Sequence, residues 1–164
     1  MSVRSGIGYD SHRFAEGRPL ILGGVEIDSE RGLAGHSDAD VLTHAIMDAL
    51  LGAAGLGDIG LHFPDNEESY RDARSIELLD EVRGLVWDRG LAVSNVDATV
   101  VCEAPRLGPF RDRIRETLAM PLGVEAARVS VKFTTNEGMG WIGRGEGVAA
   151  MAVAVLERSP AGHA

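Results

Sequence analysis

The chain has 164 residues, 45% apolar and 25% charged, with a net charge of −9. That length gives one domain with an adequate core, so the whole span 1–164 is expected to fold as a unit. The acid excess excludes nonspecific nucleic-acid binding, and the longest apolar run, Val148–Leu156, is far short of the ~20 residues of a membrane helix.

In chain order, Ile7–His12 reads as a strand. Leu20–Leu22 and Val25–Ile27 flank Gly23-Gly24, a hairpin signal. Ser37 or Asp38 is placed to cap a helix running to about Ala54, with Val41, Leu42, Ala45, Ile46, Ala49 and Leu50 as its buried stripe. Gly55–Gly60 ends that helix in a glycine-rich loop around Asp58, and the polar stretch His62–Asp72, with Pro64, is a further loop. A second helix is expected over Ala73–Arg89, with Ile76, Leu79, Val82, Val86 and Trp87 toward the core and Gly90 past its end.

Ser94–Glu103 has the β-branched bias of a strand, Pro105 and Pro109 bound a loop, and Phe110–Met120 fits a third helix. Val129, Val131 and Phe133 alternate along a strand at Arg128–Thr134, before the glycine-rich stretch Glu137–Gly147. The alanines of Val148–Leu156 suit a helix and its valines a buried strand; a strand is the reading adopted. The elements make an α+β fold, a single-domain α/β sandwich with a mixed four-stranded sheet and helices on one face. Cys102 is the only cysteine, so no internal disulfide forms. With no signal-peptide run in Met1–Asp10, a cytoplasmic protein is expected.

The chemistry concentrates in Asp10-Ser11-His12 and His36-Ser37-Asp38-Ala39-Asp40 with His44. On a strand, Asp10 and His12 share a face. On a helix, His44 lies one turn after Asp40 and one turn before Asp48. One carboxylate and two imidazoles make an open three-ligand set for a divalent ion; the donors suit Zn²⁺, with Mn²⁺ or Fe²⁺ as alternatives. Asp40 or Asp48 is a candidate to orient His44 from behind, against the plainer reading of an exposed helix surface. His36-Ser37 sits where helix N-terminal amides attract anions. Thr134-Thr135-Asn136-Glu137 offers hydroxyls and a carboxylate for phosphate and a harder ion such as Mg²⁺. The triad alone also permits a metal-dependent phosphohydrolase or a metal-stabilised binding protein.

Asp10-Ser11-His12, Gly35–Asp40, Asp48–Ala53, Gly57-Asp58-Ile59-Gly60, Phe63-Pro64-Asp65, Ala104-Pro105-Arg106-Leu107, Thr134–Glu137 and Gly143–Gly147 occur in one order over about residues 6–157. In this the chain resembles the 2-C-methyl-D-erythritol 2,4-cyclodiphosphate synthase family of non-mevalonate isoprenoid biosynthesis. The resemblance implies a lyase that cyclises 4-diphosphocytidyl-2-C-methyl-D-erythritol 2-phosphate with loss of CMP. It implies Zn²⁺ on Asp10, His12 and His44, and Mg²⁺ or Mn²⁺ on Glu137. His36 and Thr135 match the positions that stabilise the transition state.

Substrate contacts are implied at Asp10, Ser11, His12, His36 and Ser37, at Asp58, Ile59 and Gly60, and along the loop Phe63, Pro64, Asp65, Asn66 and Glu67. The cytidine pocket matches Cys102, Glu103, Ala104, Pro105, Arg106, Leu107 and Gly108, with further contacts at Thr134, Thr135, Asn136, Glu137, Trp141 and Arg144. The family pattern is a homotrimer with sites shared between subunits, some members holding an isoprenoid diphosphate in a central cavity near positions matching Tyr9, Arg144 and Glu146. Asn136, Arg106 and Trp141 depart from the usual residues; none belongs to the triad.

Overall fold

In the computed structural model, which describes residues 3–160, four long strands and a short fifth form one mixed sheet. The strands are β1 (Arg4–Ala15), β4 (Gly32–Leu33), β5 (Leu91–Val101), β6 (Val129–Thr134) and β7 (Gly147–Arg158). β2 (Leu20–Leu22) and β3 (Val25–Ile27) make the expected hairpin as a separate ribbon. The sheet order is β4-β1-β7-β5-β6. Five strands therefore replace the four expected. The extra one is the two-residue β4, which pairs with Phe14 and Ala15 and is too short to carry an alternation signal. Val148–Leu156 lies within the antiparallel centre strand β7, so the valines and not the alanines decide its form.

The helices are α1 (Val41–Ala54), α2 (Ile59–His62), α3 (Ser75–Asp88), α4 (Arg111–Leu122) and α5 (Gly140–Gly143). The helix expected to be a striped surface element is enclosed: every residue of α1 except Asp48 and Gly52 is buried. Its hydrophobicity runs around the whole circumference, which is the pattern of a core helix. It lies along β1 and β7 and against α3. Its N-cap is Asp40 rather than Ser37 or Asp38, because Asp40 accepts the Thr43 amide. Trp87, expected in the core, is 46% exposed near the end of α3, while its neighbour Val86 takes the buried position.

Two glycines set how closely β1 and α1 approach. A β-carbon on Gly8 would lie 1.9 Å from the Ala45 carbonyl oxygen, and one on Gly6 would lie 2.1 Å from that of Ala49. Strand backbone and helix backbone are in direct contact. This brings the even-numbered face of β1, with Asp10 and His12, against the His44 turn of α1. The odd-numbered face points away from α1, and at its far end Ile142 of α5 covers Val101 and Ala149. On it Ile7 pairs with Val153 and Tyr9 with Met151, and all four are at least 43% exposed. No helix among the described residues is long and apolar enough to cross a membrane.

β1 and β5 both run antiparallel to β7, and β6 runs parallel to β5. The C-terminal ends of β1, β5 and β6 therefore lie at one edge of the sheet. Ser11, Ala149, Val101 and Thr134 share one rung across it. Three strand spacings, about 14 Å, separate the ends of that rung.

Candidate active site

Three donor atoms converge from strand and helix. Asp10 Oδ2 is 2.9 Å from His12 Nε2 and 3.0 Å from His44 Nδ1, and the two ring nitrogens are 3.3 Å apart. Tetrahedral coordination with bonds of about 2.0–2.1 Å spaces its ligand atoms about 3.3–3.4 Å apart. The triad is thus near the spacing that a small divalent ion imposes, and it forms a metal-binding triad. The ring of His12 is oriented from behind: its Nδ1–H donates to the Ala34 carbonyl at 2.6 Å, leaving Nε2 to face the other two ligands.

Burial alone would raise the Asp10 carboxyl, but hydrogen bonds from His12 and His44 overcome it and hold the group at about 2. Burial would lower His12, yet its bond to Asp10, that carboxylate's charge and the Ala34 carbonyl outweigh it and move the ring above 6.5. The signs differ. The Asp10 contribution to metal-free stability is present above pH 3.8 and is lost as the pH falls toward 2. The His12 contribution is complete below pH 6.5 and disappears as the pH rises through its elevated value. An entering ion displaces the His12 proton. Metal affinity is therefore expected to rise with pH through the His12 transition. Calorimetry in buffers of different ionisation enthalpy should detect proton release at pH 6 that fades in alkaline solution; pH-independent binding would contradict this.

The aspartates expected behind His44 act elsewhere. Asp40 is fully buried and ties α1 to the hairpin by accepting the amides of Gly23, Gly24 and Thr43 and the Thr43 hydroxyl. Burial, together with the neighbouring charge of Asp38, raises its pKa. Asp48 accepts the Ile59 amide and so holds the start of α2. At His44 Nε2 stand two hydroxyls instead, Ser75 at 2.8 Å and Ser37 at 3.3 Å. Ser75 was not singled out in the sequence, because it lies 31 positions from His44.

A cleft of about 630 Å³ opens beside the triad. Its wall includes Asp10, His12, His36, Ser37 and His44, then Ile59 and Gly60, and Phe63, Pro64, Asp65 and Asn66. Arg18, unmarked in the sequence, clamps the Gly35–Ser37 turn by donating to the carbonyls of Gly35 and Ser37. His36 Nε2–H donates to the Glu67 carbonyl at 3.1 Å. Phe63 meets the edge of Tyr70 at 5.4 Å between ring centres. Asp58 is exposed and caps α2 by accepting the Leu61 amide. Ser11 is exposed on the opposite face of β1, as its odd position dictates.

A second cluster forms where β5 and β6 end. The Cys102 amide donates to the Thr134 carbonyl, and Cys102 Sγ–H donates to the Ala104 carbonyl. Burial pushes the Cys102 thiol up to about 11. Glu103 Oε1 accepts the amides of Asn136 and Gly138, bracketing Glu137. Glu137 itself adopts a left-handed φ of 53°, and its carboxylate lies 3.4 Å from the Thr135 hydroxyl. Pro105 follows a cis peptide bond, Leu107 is buried, and Arg106 and Gly108 are exposed. Trp141 and Arg144 are exposed, with Arg144 paired to Glu146 at 2.6 Å. None of Cys102–Gly108, Thr134–Glu137, Trp141 or Arg144 lines the cleft at the triad.

A mixed sheet with an open metal triad at one edge defines an enzyme-like site, and similarity to known proteins narrows it. The profile of the YgbB family matches residues 3–157. A relative from Rubrobacter xylanophilus, a 2-C-methyl-D-erythritol 2,4-cyclodiphosphate synthase, is 62% identical over 159 residues, covering 95% of this chain and 96% of its own. The bifunctional IspDF structure from Campylobacter jejuni superposes with a TM-score of 0.93 at 41% identity, over 96% of this chain and 42% of that one. The IspF structure from Plasmodium falciparum, a CDP complex, gives 0.84 at 32% identity, over 96% of this chain and 97% of that one. The chain belongs to the YgbB family, the family of the 2-C-methyl-D-erythritol 2,4-cyclodiphosphate synthases.

Proposed function

We infer that the chain, taken as one domain over 1–164, carries out the cyclisation after which its relatives are named. 4-Diphosphocytidyl-2-C-methyl-D-erythritol 2-phosphate is converted to 2-C-methyl-D-erythritol 2,4-cyclodiphosphate and CMP, a step of non-mevalonate isoprenoid biosynthesis in the cytoplasm. The observation that carries this is the open triad of Asp10, His12 and His44 beside a cleft of substrate size. A 2-phosphate oxygen bonds to the β-phosphorus, the bond from that phosphorus to the bridging oxygen breaks, and CMP leaves with the electron pair. The nucleophile is already an anion, so the work is positioning and charge neutralisation.

Asp10, His12 and His44 would hold Zn²⁺, which when bound would supply Lewis-acid stabilisation of phosphoryl charge. His36 and Thr135 stabilise the charge that develops on the phosphoryl oxygens. Ser37 holds phosphate beside them. Asp58, Ile59 and Gly60 contact the erythritol, and Phe63–Glu67 covers it. Glu103 and its neighbours Cys102–Gly108 form the cytidine pocket. Thr134 and Asn136 support the phosphates, and Glu137 would hold Mg²⁺ or Mn²⁺.

The triad and Glu137 would both have to reach the same diphosphate. Within one chain, the triad and the Thr134 cluster are at opposite ends of a rung about 14 Å wide. This supports a site completed by a neighbouring copy. The apolar odd-numbered face of β1 and β7, with Ile7, Tyr9, Met151 and Val153, supports a homotrimer packed sheet to sheet. The central cavity of that trimer is the place proposed for an isoprenoid diphosphate, with Tyr9 on the sheet face and the Arg144–Glu146 pair contributing.

Phosphorus NMR of the protein with this substrate, Zn²⁺ and Mg²⁺ tests the reading. Cyclic diphosphate and CMP, abolished by chelator, are expected; open-chain phosphates would make the protein a hydrolase. Glu137→Gln is expected to lower turnover at least tenfold with zinc content unchanged; equal loss of zinc would contradict the division between two ions.

A further inference from the structure

Ser75 Oγ stands between His44 and a carboxylate. It is 2.8 Å from His44 Nε2 and 2.5 Å from Asp38 Oδ1. A hydroxyl has one proton, and a carboxylate only accepts. The Ser75 proton is therefore committed to Asp38, and its oxygen turns a lone pair to His44. The bond to His44 then requires the proton on Nε2 of the ring. Nδ1 is then the nitrogen left for a metal, facing Asp10 Oδ2 and His12 Nε2.

We propose that Asp38 and Ser75 are positioning residues that fix His44 as its Nε2–H tautomer and so present Nδ1 to the metal. Asp38 is itself held in place. Its Oδ2 accepts the Ser75 amide at 3.0 Å, its Oδ1 accepts the Asp40 amide at 3.2 Å, and its own amide donates to the Ala73 carbonyl. Ser75 is fully buried, so bulk water does not compete for its oxygen. The Ser37 hydroxyl, farther off at 3.3 Å, accepts the Ala39 amide and reaches the same Nε2 more weakly. The arrangement mirrors His12, whose rear nitrogen is held by the Ala34 carbonyl. At His44 the backing group ends in a full negative charge, which strengthens electron donation from the ring.

A plainer role for Asp38 is to cap α3, since Arg74 makes no side-chain cap bond. The two roles use different atoms. The cap is the Ser75 amide on Oδ2, and the relay is the Ser75 hydroxyl on Oδ1. Ser75→Ala removes the second and keeps the first.

The proposal rests on the reading of the triad as a metal site, and the experiment separates the two. In the metal-free wild type, nitrogen NMR of the imidazoles is expected to find Nε2 of His44 proton-bearing; an unprotonated Nε2 would overturn the proposal. In chelator competition, Ser75→Ala is expected to bind zinc 10–100-fold more weakly, and Asp38→Asn likewise, with a Ser75→Ala melting temperature close to that of the wild type. A folded Ser75→Ala with wild-type zinc affinity would overturn the relay while leaving the metal site standing. A wild type that binds no divalent ion would overturn both. Were Ser75→Ala not to fold, the wild-type NMR result decides alone.

Discussion

His44→Ala is expected to lose most bound zinc and to lower turnover by about a thousandfold or more. The residue is one of three ligands, and its ring is the only one supplied by a helix. Removing it leaves Asp10 and His12, a carboxylate and one imidazole, which cannot define an open tetrahedral site. Alanine favours the helix and sits within a shell of buried aliphatics, so the variant should fold. Metal content by mass spectrometry and turnover by phosphorus NMR would be read on the same preparation. Full turnover in a zinc-free variant would end the account of the site given above.

The second large effect concerns the shared site. If the triad comes from one subunit and Glu137 from the next, two inactive variants should rescue one another. His44→Ala and Glu137→Ala, each inert alone, are to be unfolded, mixed in equal amounts and refolded together. Random assembly into closed cyclic trimers leaves about a quarter of the interfaces with both halves intact. Activity near that fraction is expected. Activity that stays at the level of the separate variants would place the whole site within one chain. Sedimentation of Ile7→Glu tests the interface: a charge on the apolar sheet face should yield monomers without turnover, and an intact active trimer would move the interface elsewhere.

Much of this was legible in the residues because local periodicity carried it. Asp10 and His12 two apart on a strand, and His44 one turn into a helix, needed only the periods of strand and helix to share a site. What failed to show were contacts between distant segments. Ser75 meets His44 across 31 positions, and neither residue type advertises the pairing. Asp40 has the spacing of a residue that supports His44, yet it folds back to the hairpin amides of Gly23 and Gly24. Trp87 fits an apolar stripe, but it follows the buried Val86 directly and turns 46% exposed to the other side of the helix. The two-residue β4 has no sequence signature, since its pairing is dictated by where Phe14 and Ala15 end. The match of eight ordered motifs supplied the chemistry that spacing left open between hydrolase and cyclase.

The bare backbones of Gly6 and Gly8 have a consequence for anyone wishing to retune this centre. The gap between the two ligand-bearing elements is set by main-chain atoms in contact, and no substitution shortens it. A side chain at Gly8 would only wedge strand from helix and pull the ligands apart. Selectivity for another ion is therefore out of reach of adjustments in spacing. Thiolate bonds of about 2.3 Å, or calcium's 2.3–2.6 Å with more oxygens, must be met by changing the donor atoms themselves. The ruler in this site is cut from peptide units, and only the pencils are interchangeable.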